Sequence, residues 1–166
     1  MFVVGDSTGA ISTNYVATIA GKYNWNSYAW NIAACPFFVS TEAVKKTRDS
    51  KNRLNATQQI CIEQNKKRWL WIQTNKPSVL VIQFRTTEHY RDLYQGDLNA
   101  EIANSINLAS KLVDRVILVL PNPEFSPFVL NQIYKIQKIE ELPRGPFKDQ
   151  VFFLKYNFDS NVFLVD

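Results

Sequence analysis

Two apolar runs constrain the fold of this chain more than any other feature. Residues 79–84 (VLVIQF) and 115–120 (RVILVL) are apolar at consecutive positions rather than at alternate ones. Strands of this kind are buried on both faces, as in the interior of a parallel sheet. Parallel neighbours need crossover connections, which are usually helices. The sequence around the two runs should therefore supply helices.

The rest of the chain alternates strands with helices. The predicted strands are residues 2–4, 25–34, 79–84, 115–120 and 161–165, and the predicted helices are 12–22, 56–75, a segment capped by Asp97 or Asn99, and 127–141. Residues 40–53 are polar and are predicted to form an exposed excursion. This order predicts right-handed βαβ crossovers and a parallel sheet of about five strands. The predicted fold class is α/β with three layers, in a single domain spanning residues 1–166.

Composition narrows the possible partners. The chain has 166 residues, of which 46% are hydrophobic, and a net charge of +4. The positive residues are scattered apart from residues 45–48 and Lys66-Lys67-Arg68, and runs this short are typical of solvated helix faces. We therefore expect no nucleic-acid partner. No apolar stretch reaches the roughly 18 residues that a membrane-spanning helix needs.

The carboxyl ends of parallel strands are where ligands bind, and that edge should bring together Ser7, Ala34, residues 85–89 and Asn122. Ser7 directly follows the first strand in Gly5-Asp6-Ser7, on a turn that leads into a helix. Its hydroxyl would lie at the ligand edge and its N–H at a helix N-terminus, which suits a nucleophile whose attack creates an oxyanion. Asp and Ser are also common helix caps, so a plain N-cap at Ser7 or Thr8 is the alternative.

At these positions the sequence resembles the SGNH, or GDSL, hydrolases. Val3-Val4-Gly5-Asp6-Ser7 is similar to the opening block of that family. The order of this block, Ala33-Ala34-Cys35-Pro36, Cys61, and Arg85 after the strand 79–84 resembles the SGNH domain fused to the membrane O-acyltransferases that acetylate bacterial surface polysaccharides. The resemblance extends over nearly the whole chain. It implies a three-layer flavodoxin-like fold.

The resemblance also implies an oxyanion hole. Ser7 matches the nucleophile, and its N–H matches one donor. The family's second donor is a glycine N–H, for which the nearest match here is the backbone of Ala33 or Ala34. The third is an asparagine in a Gly-x-Asn-Asp block, where this chain instead reads Arg85-Thr86-Thr87-Glu88. Thr87 would present a hydroxyl there, and Arg85 resembles an arginine of the acyltransferase-linked group.

The general base is not evident in the sequence. The family's Asp-x-x-His block lies near the carboxyl end, and no such block precedes Asp166. We therefore expect that the sequence is truncated and that the missing segment carries the Asp and His. His89, the single histidine, is the other candidate base, with Glu88 beside it and Asp92 nearby. The alternative for His89 is a solvent-exposed loop histidine with no catalytic role.

Cys35 and Cys61 are the only cysteines. With no clustered histidines and no C-x-x-C motif they predict neither a metal site nor a redox motif. The residues alone leave two possibilities open, a disulfide or two buried free thiols. The family resemblance, which includes paired extracytoplasmic cysteines, favours the disulfide. A disulfide implies an oxidising compartment, so the predicted location is extracytoplasmic, on the periplasmic face and tethered to the membrane through upstream sequence.

The resemblance implies O-acyl (acetyl) transfer to carbohydrate hydroxyls, or ester hydrolysis on them, through an acyl-serine at Ser7, with this chain as a fragment of a surface-polysaccharide O-acyltransferase. Asp6, Tyr90, Tyr94 and Asn122 are the candidates for substrate contact. The implied partners are an acylated or acceptor carbohydrate and a fused or associated membrane acyltransferase domain, with no metal or organic cofactor. One alternative is a non-catalytic carbohydrate-binding or partner-docking domain that keeps the fold. A second is a stand-alone esterase that uses His89.

Overall fold

A computed structural model of the chain describes residues 1–39, 56–85, 97–120 and 148–165. In chain order the elements are β1 (Phe2–Gly5), α1 (Gly9–Lys22), β2 (Tyr28–Asn31), α2 (Ala56–Asn75), β3 (Val79–Gln83), α3 (Leu98–Ser110), β4 (Arg115–Val119), α4 (Lys148–Lys155) and β5 (Val162–Val165). The strands form one parallel sheet in the order β2-β1-β3-β4-β5. The prediction of a five-stranded parallel α/β fold is confirmed. The predicted helix 127–141 and the stretch 40–53 lie outside the described residues.

The central strands are buried on both faces, as their composition predicts. In β3, Leu80, Val81 and Ile82 are at most 3% exposed. One face of the sheet packs against α2, α3 and α4 around a large core that includes Ile72, Ile102 and Phe153. The opposite face carries α1 on a smaller cluster of Val3, Val16 and Val81. None of the described helices is long and apolar enough to cross a membrane.

The three predicted helices that fall within the described residues form with small changes at their ends. Helix α2 has the predicted bounds, and α3 is capped as predicted by Asp97, whose Oδ1 accepts from the Ala100 N–H at 3.0 Å. Helix α1 begins at Gly9, three residues earlier than predicted, because the turn before it is already fixed by Asp6. The Gly9 N–H donates to the Asp6 carbonyl at 3.2 Å.

Strand β2 is shorter than the predicted 25–34, because a turn shapes the chain at each end. Before it, Asn24 has φ of 55° and the Trp25 N–H donates to the Ala20 carbonyl, which closes α1. After it, the Cys35 N–H donates to the Ile32 carbonyl at 3.1 Å, which closes a β-turn. Only Tyr28–Asn31 remains to pair with β1.

Helix α4 was not predicted from the sequence. It is eight residues long, and its apolar residues fall in a consecutive Val-Phe-Phe-Leu run that has no helical spacing. Phe153 is fully buried, and its ring lies 5.6 Å from that of Phe84 in an edge-to-face arrangement. Tertiary packing of this ring therefore fixes the helix where the local pattern does not.

The basic run on α2 corrects one prediction. Lys66 and Lys67 are exposed, as expected for a solvated helix face, but Arg68 is 0% exposed. The buried positions of α2 are spaced by three or four residues, namely Gln58, Cys61, Asn65, Arg68 and Ile72. Arg68 falls on this inward face, because helical spacing from Cys61 and Asn65 places it there. The prediction of a solvated face was therefore wrong for Arg68, because it considered only the charge of the run.

Cys35 and Cys61 form a disulfide that joins the turn after β2 to α2, so the predicted pairing is confirmed. The cysteines are 26 residues apart, and closing a loop of that length contributes about 3 kcal/mol in the chain-entropy treatment. The double variant Cys35→Ala/Cys61→Ala is therefore expected to unfold in urea with a free energy about 3 kcal/mol lower. Thiol titration of the unfolded, unreduced wild type should find no reactive cysteine. Two titratable thiols would contradict the pairing.

Candidate active site

The register of the sheet brings three of the candidate residues to one edge. Gly5, the last residue of β1, pairs with Asn31 of β2 and with Gln83 of β3. Ser7 and Arg85 follow their strands by two residues, and Ala34 follows by three. All three therefore lie beyond the carboxyl ends of neighbouring parallel strands, where ligands bind in sheets of this kind.

Ser7 is exposed in the turn between β1 and α1. No residue that the structure describes forms a hydrogen bond with the Ser7 amide or with the Ser7 hydroxyl. The N-cap of α1 is Thr8, and its side chain makes no capping hydrogen bond to the helix. The N-cap position therefore falls on Thr8 and not on Ser7, and Ser7 presents a hydroxyl and an N–H next to a helix N-terminus.

Asp6 is fully buried beneath Ser7. Its Oδ1 accepts from the Thr8 N–H at 2.7 Å and from the Thr8 hydroxyl at 2.6 Å. Its Oδ2 accepts from the Arg85 N–H at 2.9 Å. One carboxylate therefore ties the turn after β1 to the end of β3, through charge-assisted hydrogen bonds that are stronger than neutral ones.

Gln83 of β3 supports the start of α1, directly after the Ser7 turn. This role was not predicted from the sequence. Its buried Oε1 accepts from the Ser12 hydroxyl at 2.6 Å and from the Ser12 N–H at 3.3 Å. These bonds hold the first turn of α1 against the end of β3. The available signal was a single polar residue inside the apolar run VLVIQF, because a buried polar group needs a partner.

The turn after β2 holds Ala34 in an uncommon conformation. Ala34 has φ of 54°, in the left-handed region that glycine adopts most readily. It is the third residue of the β-turn that the Cys35-to-Ile32 hydrogen bond closes. The side chain is half-buried against the large core, and the disulfide follows directly. The backbone at this position is therefore held from two sides.

Arg85 is half-buried, and its main chain bonds to Asp6 as described above. Five further site predictions lie outside the described residues: Thr87, His89, Tyr90, Tyr94 and Asn122. They stay predictions from the sequence.

A parallel sheet with an exposed serine in the turn after its first strand is consistent with an SGNH hydrolase fold. The chain belongs to the family described as SGNH domain (fused to AT3 domains), whose model matches residues 1–159. The periplasmic domain of a lipopolysaccharide acetyltransferase from Salmonella ser. Paratyphi A is similar in structure, with 19% identity and a TM-score of 0.47. The match covers 82% of this chain and 51% of that one, so the chain spans about half the length of the solved domain. No curated protein matches the sequence.

Proposed function

We propose that this domain transfers an acyl group, acetyl in the first instance, to or from a carbohydrate hydroxyl through an ester on Ser7. The proposal rests on one observation, the exposure of Ser7 on a turn whose backbone is held by hydrogen bonds to a buried carboxylate. Ser7 is an exposed residue at a helix N-terminus whose hydroxyl and N–H are bonded to no described residue, while Asp6 before it is buried and accepts hydrogen bonds at both carboxylate oxygens. A nucleophile needs this combination of a free side chain on a fixed backbone.

The proposed reaction has two steps, acylation of Ser7 and transfer of the acyl group from Ser7 to the acceptor. Ser7 Oγ attacks the acyl carbonyl as a general base takes its proton, and the tetrahedral oxyanion collapses to release the donor alcohol, which regains that proton. A sugar hydroxyl then attacks the acyl-serine with the same base, and Ser7 Oγ leaves with the returned proton. Water in place of the sugar gives hydrolysis.

The oxyanion would be held by the N–H groups of Ser7 and Ala34. The left-handed backbone at Ala34 supports this match, because the family places a glycine at this point and glycine adopts that conformation most readily. Arg85 and Thr87 are the proposed further contributors. Preorganised donors of this kind act on charge that exists only in the transition state.

Asp6 takes a different role in this proposal from the substrate contact expected from the sequence. A carboxylate that is fully buried, with both oxygens already accepting hydrogen bonds, is not placed to contact a sugar. We assign it to positioning the Ser7 turn. Tyr90, Tyr94 and Asn122 remain the proposed contacts for the acceptor.

The sheet face that carries α1 supports the proposal that a further segment supplies the base. Within the described ranges α1 is the one helix on this face, and large apolar side chains on α1 and on β5 are exposed. They are Ile11, Tyr15 and Ile19 on α1, and Phe163 and Val165 on β5. An amphipathic helix that follows β5 would cover them. We propose that such a segment brings the Asp-x-x-His block to the Ser7 edge.

The disulfide supports an extracytoplasmic location, because structural disulfides persist in oxidising compartments. The family description supports a fused or associated membrane acyltransferase domain as the source of acyl groups. Both statements belong to this proposal.

Release of acetate from an acetylated sugar tests the proposal, measured on the 166-residue chain and on the same chain read on past Asp166. We expect turnover in the longer protein at least about 10²-fold above the shorter one, the contribution of a general base. Turnover by the 166-residue chain that His89→Ala removes would instead make His89 the base. Binding of the sugar by both proteins without turnover in either would favour the non-catalytic alternative and overturn the proposal.

A further inference from the structure

Arg68 is a charged side chain at the centre of the fold that the acyl-transfer chemistry does not itself use. It lies in the middle of α2 and is 0% exposed. Burying a guanidinium costs several kcal/mol more than burying an aliphatic side chain of similar volume, and the cost is recovered only through well-formed hydrogen bonds. Packing alone would be better served by leucine or methionine. The partners of this guanidinium therefore indicate its use.

Two of those partners belong to the two turns at the Ser7 edge. Arg68 Nη2 donates to the Gly5 carbonyl at 2.7 Å, two residues before Ser7. Arg68 Nη1 donates to the Cys35 carbonyl at 3.4 Å, one residue after Ala34. A single planar group thus joins the backbone that carries one proposed oxyanion donor to the backbone that carries the other.

The guanidinium is itself held in place by neighbours on α2 and by the disulfide. Its Nη1 donates to Asn65 Oδ1 at 3.0 Å, and Cys35 Sγ lies 3.6 Å away. Asn65 in turn donates from Nδ2 to the Pro36 carbonyl at 2.9 Å, directly after the turn that holds Ala34. Arg68 is therefore a rigid link between the two turns rather than a mobile side chain that fills space.

We propose that Arg68 is a positioning residue of the acyl-transfer site, which sets the spacing of the Ser7 and Ala34 amides; the inference rests on the proposed function. Displacement of an oxyanion donor by about 1 Å is enough to lower kcat by about 10²-fold. A lysine keeps the charge, but its compact ammonium cannot reproduce the planar fork that reaches both carbonyls. A methionine keeps the volume and removes every donor.

The variants Arg68→Lys and Arg68→Met, compared with Ile72→Ala, test the inference in the protein with the proposed segment after Asp166. Ile72 is fully buried on the same face of α2, one turn further on, so its truncation destabilises the same helix without removing a hydrogen bond to either turn. We expect kcat to fall about 10-fold in Arg68→Lys and about 10²-fold in Arg68→Met, with KM nearly unchanged, because the donors bind the transition state and not the ester. Ile72→Ala should keep the wild-type kcat when rates are referred to folded protein.

A second readout does not depend on activity. In ¹H–¹⁵N spectra, Arg68→Lys should shift the amide signals of both Ser7 and Ala34, whereas Ile72→Ala should leave both in place. This keeps the test decisive if Arg68→Met does not fold. Wild-type turnover that needs Ser7, combined with unchanged kcat and unmoved amides in Arg68→Lys, would overturn the role of Arg68 alone. Wild-type protein without Ser7-dependent turnover would overturn the proposed function, and this inference with it, whatever the amides do.

Discussion

Replacing Ser7 with alanine is expected to lower ester turnover by about 10⁴-fold or more while the protein stays folded. The loss follows from the removal of the atom that forms the acyl-enzyme, since the remaining donors and base have no nucleophile to assist. The free energy of unfolding should change by less than about 0.5 kcal/mol, because Ser7 is exposed and its hydroxyl is not bonded to any described residue. Initial rates and urea unfolding curves, measured on the same preparations, check both parts.

Ser78→Ala is the matched control for this variant. Ser78 is also an exposed serine next to a strand, but it precedes β3 and so lies at the opposite edge of the sheet. It should keep wild-type turnover. Wild-type turnover in Ser7→Ala would remove Ser7 from the mechanism. A loss of turnover that parallels a loss of folded protein would show that the effect is structural.

Replacing Gly5 with alanine is expected to destabilise the protein by about 3 kcal/mol or more, the upper end of the cost of overpacking a core. A Cβ at Gly5 would overlap the main-chain oxygen of Gln83 and lie 3.2 Å from the Cα of Gly9. Neither neighbour is a flexible side chain, so β1 and β3 would have to separate where they support the Ser7 turn. Turnover should fall even in the fraction that remains folded.

Gly21→Ala provides the control, since it is the same substitution in the same chain. Gly21 lies in the last turn of α1, and a Cβ there would meet nothing within 4 Å. Because alanine favours helix over glycine, this variant should be as stable as wild type or more stable by up to about 1 kcal/mol. Equal urea midpoints for Gly5→Ala and Gly21→Ala would contradict the close approach of β1 and β3.

The layered architecture could be predicted because its signals are local. The runs at β3 and β4 have consecutive apolar residues, and helix caps such as Asp97 mark where a helix begins. The predicted elements were wrong where contacts between residues far apart in the sequence determine the structure. Helix α4 depends on the packing of Phe153 against Phe84, and β2 is cut short by turns whose hydrogen bonds are not visible in a strand pattern.

The place of the candidate residues in the fold could be predicted from the sequence, but the buried hydrogen bonds that hold them there could not. That Ser7 and Ala34 lie at the same end of the sheet could be predicted, because both follow parallel strands whose carboxyl ends meet there. The buried bonds of Asp6, Gln83 and Arg68 were not found, because each joins residues that are far apart in the sequence. Arg68 in particular sits in a basic run, and only its spacing from Cys61 and Asn65 indicates that it faces inward.

Mass-spectrometric mapping of the acylated protein tests the central claim most directly. The protein with the proposed segment after Asp166 would be mixed briefly with an activated acetyl ester, quenched in acid and digested, with the Ser7→Ala variant treated in parallel. The account predicts one acetyl group on Ser7 in the wild type, none at that peptide in the variant, and its loss when an acceptor sugar is added before the quench. Steady ester turnover with no acetyl group on Ser7, or with the acetyl group on another residue, would contradict it.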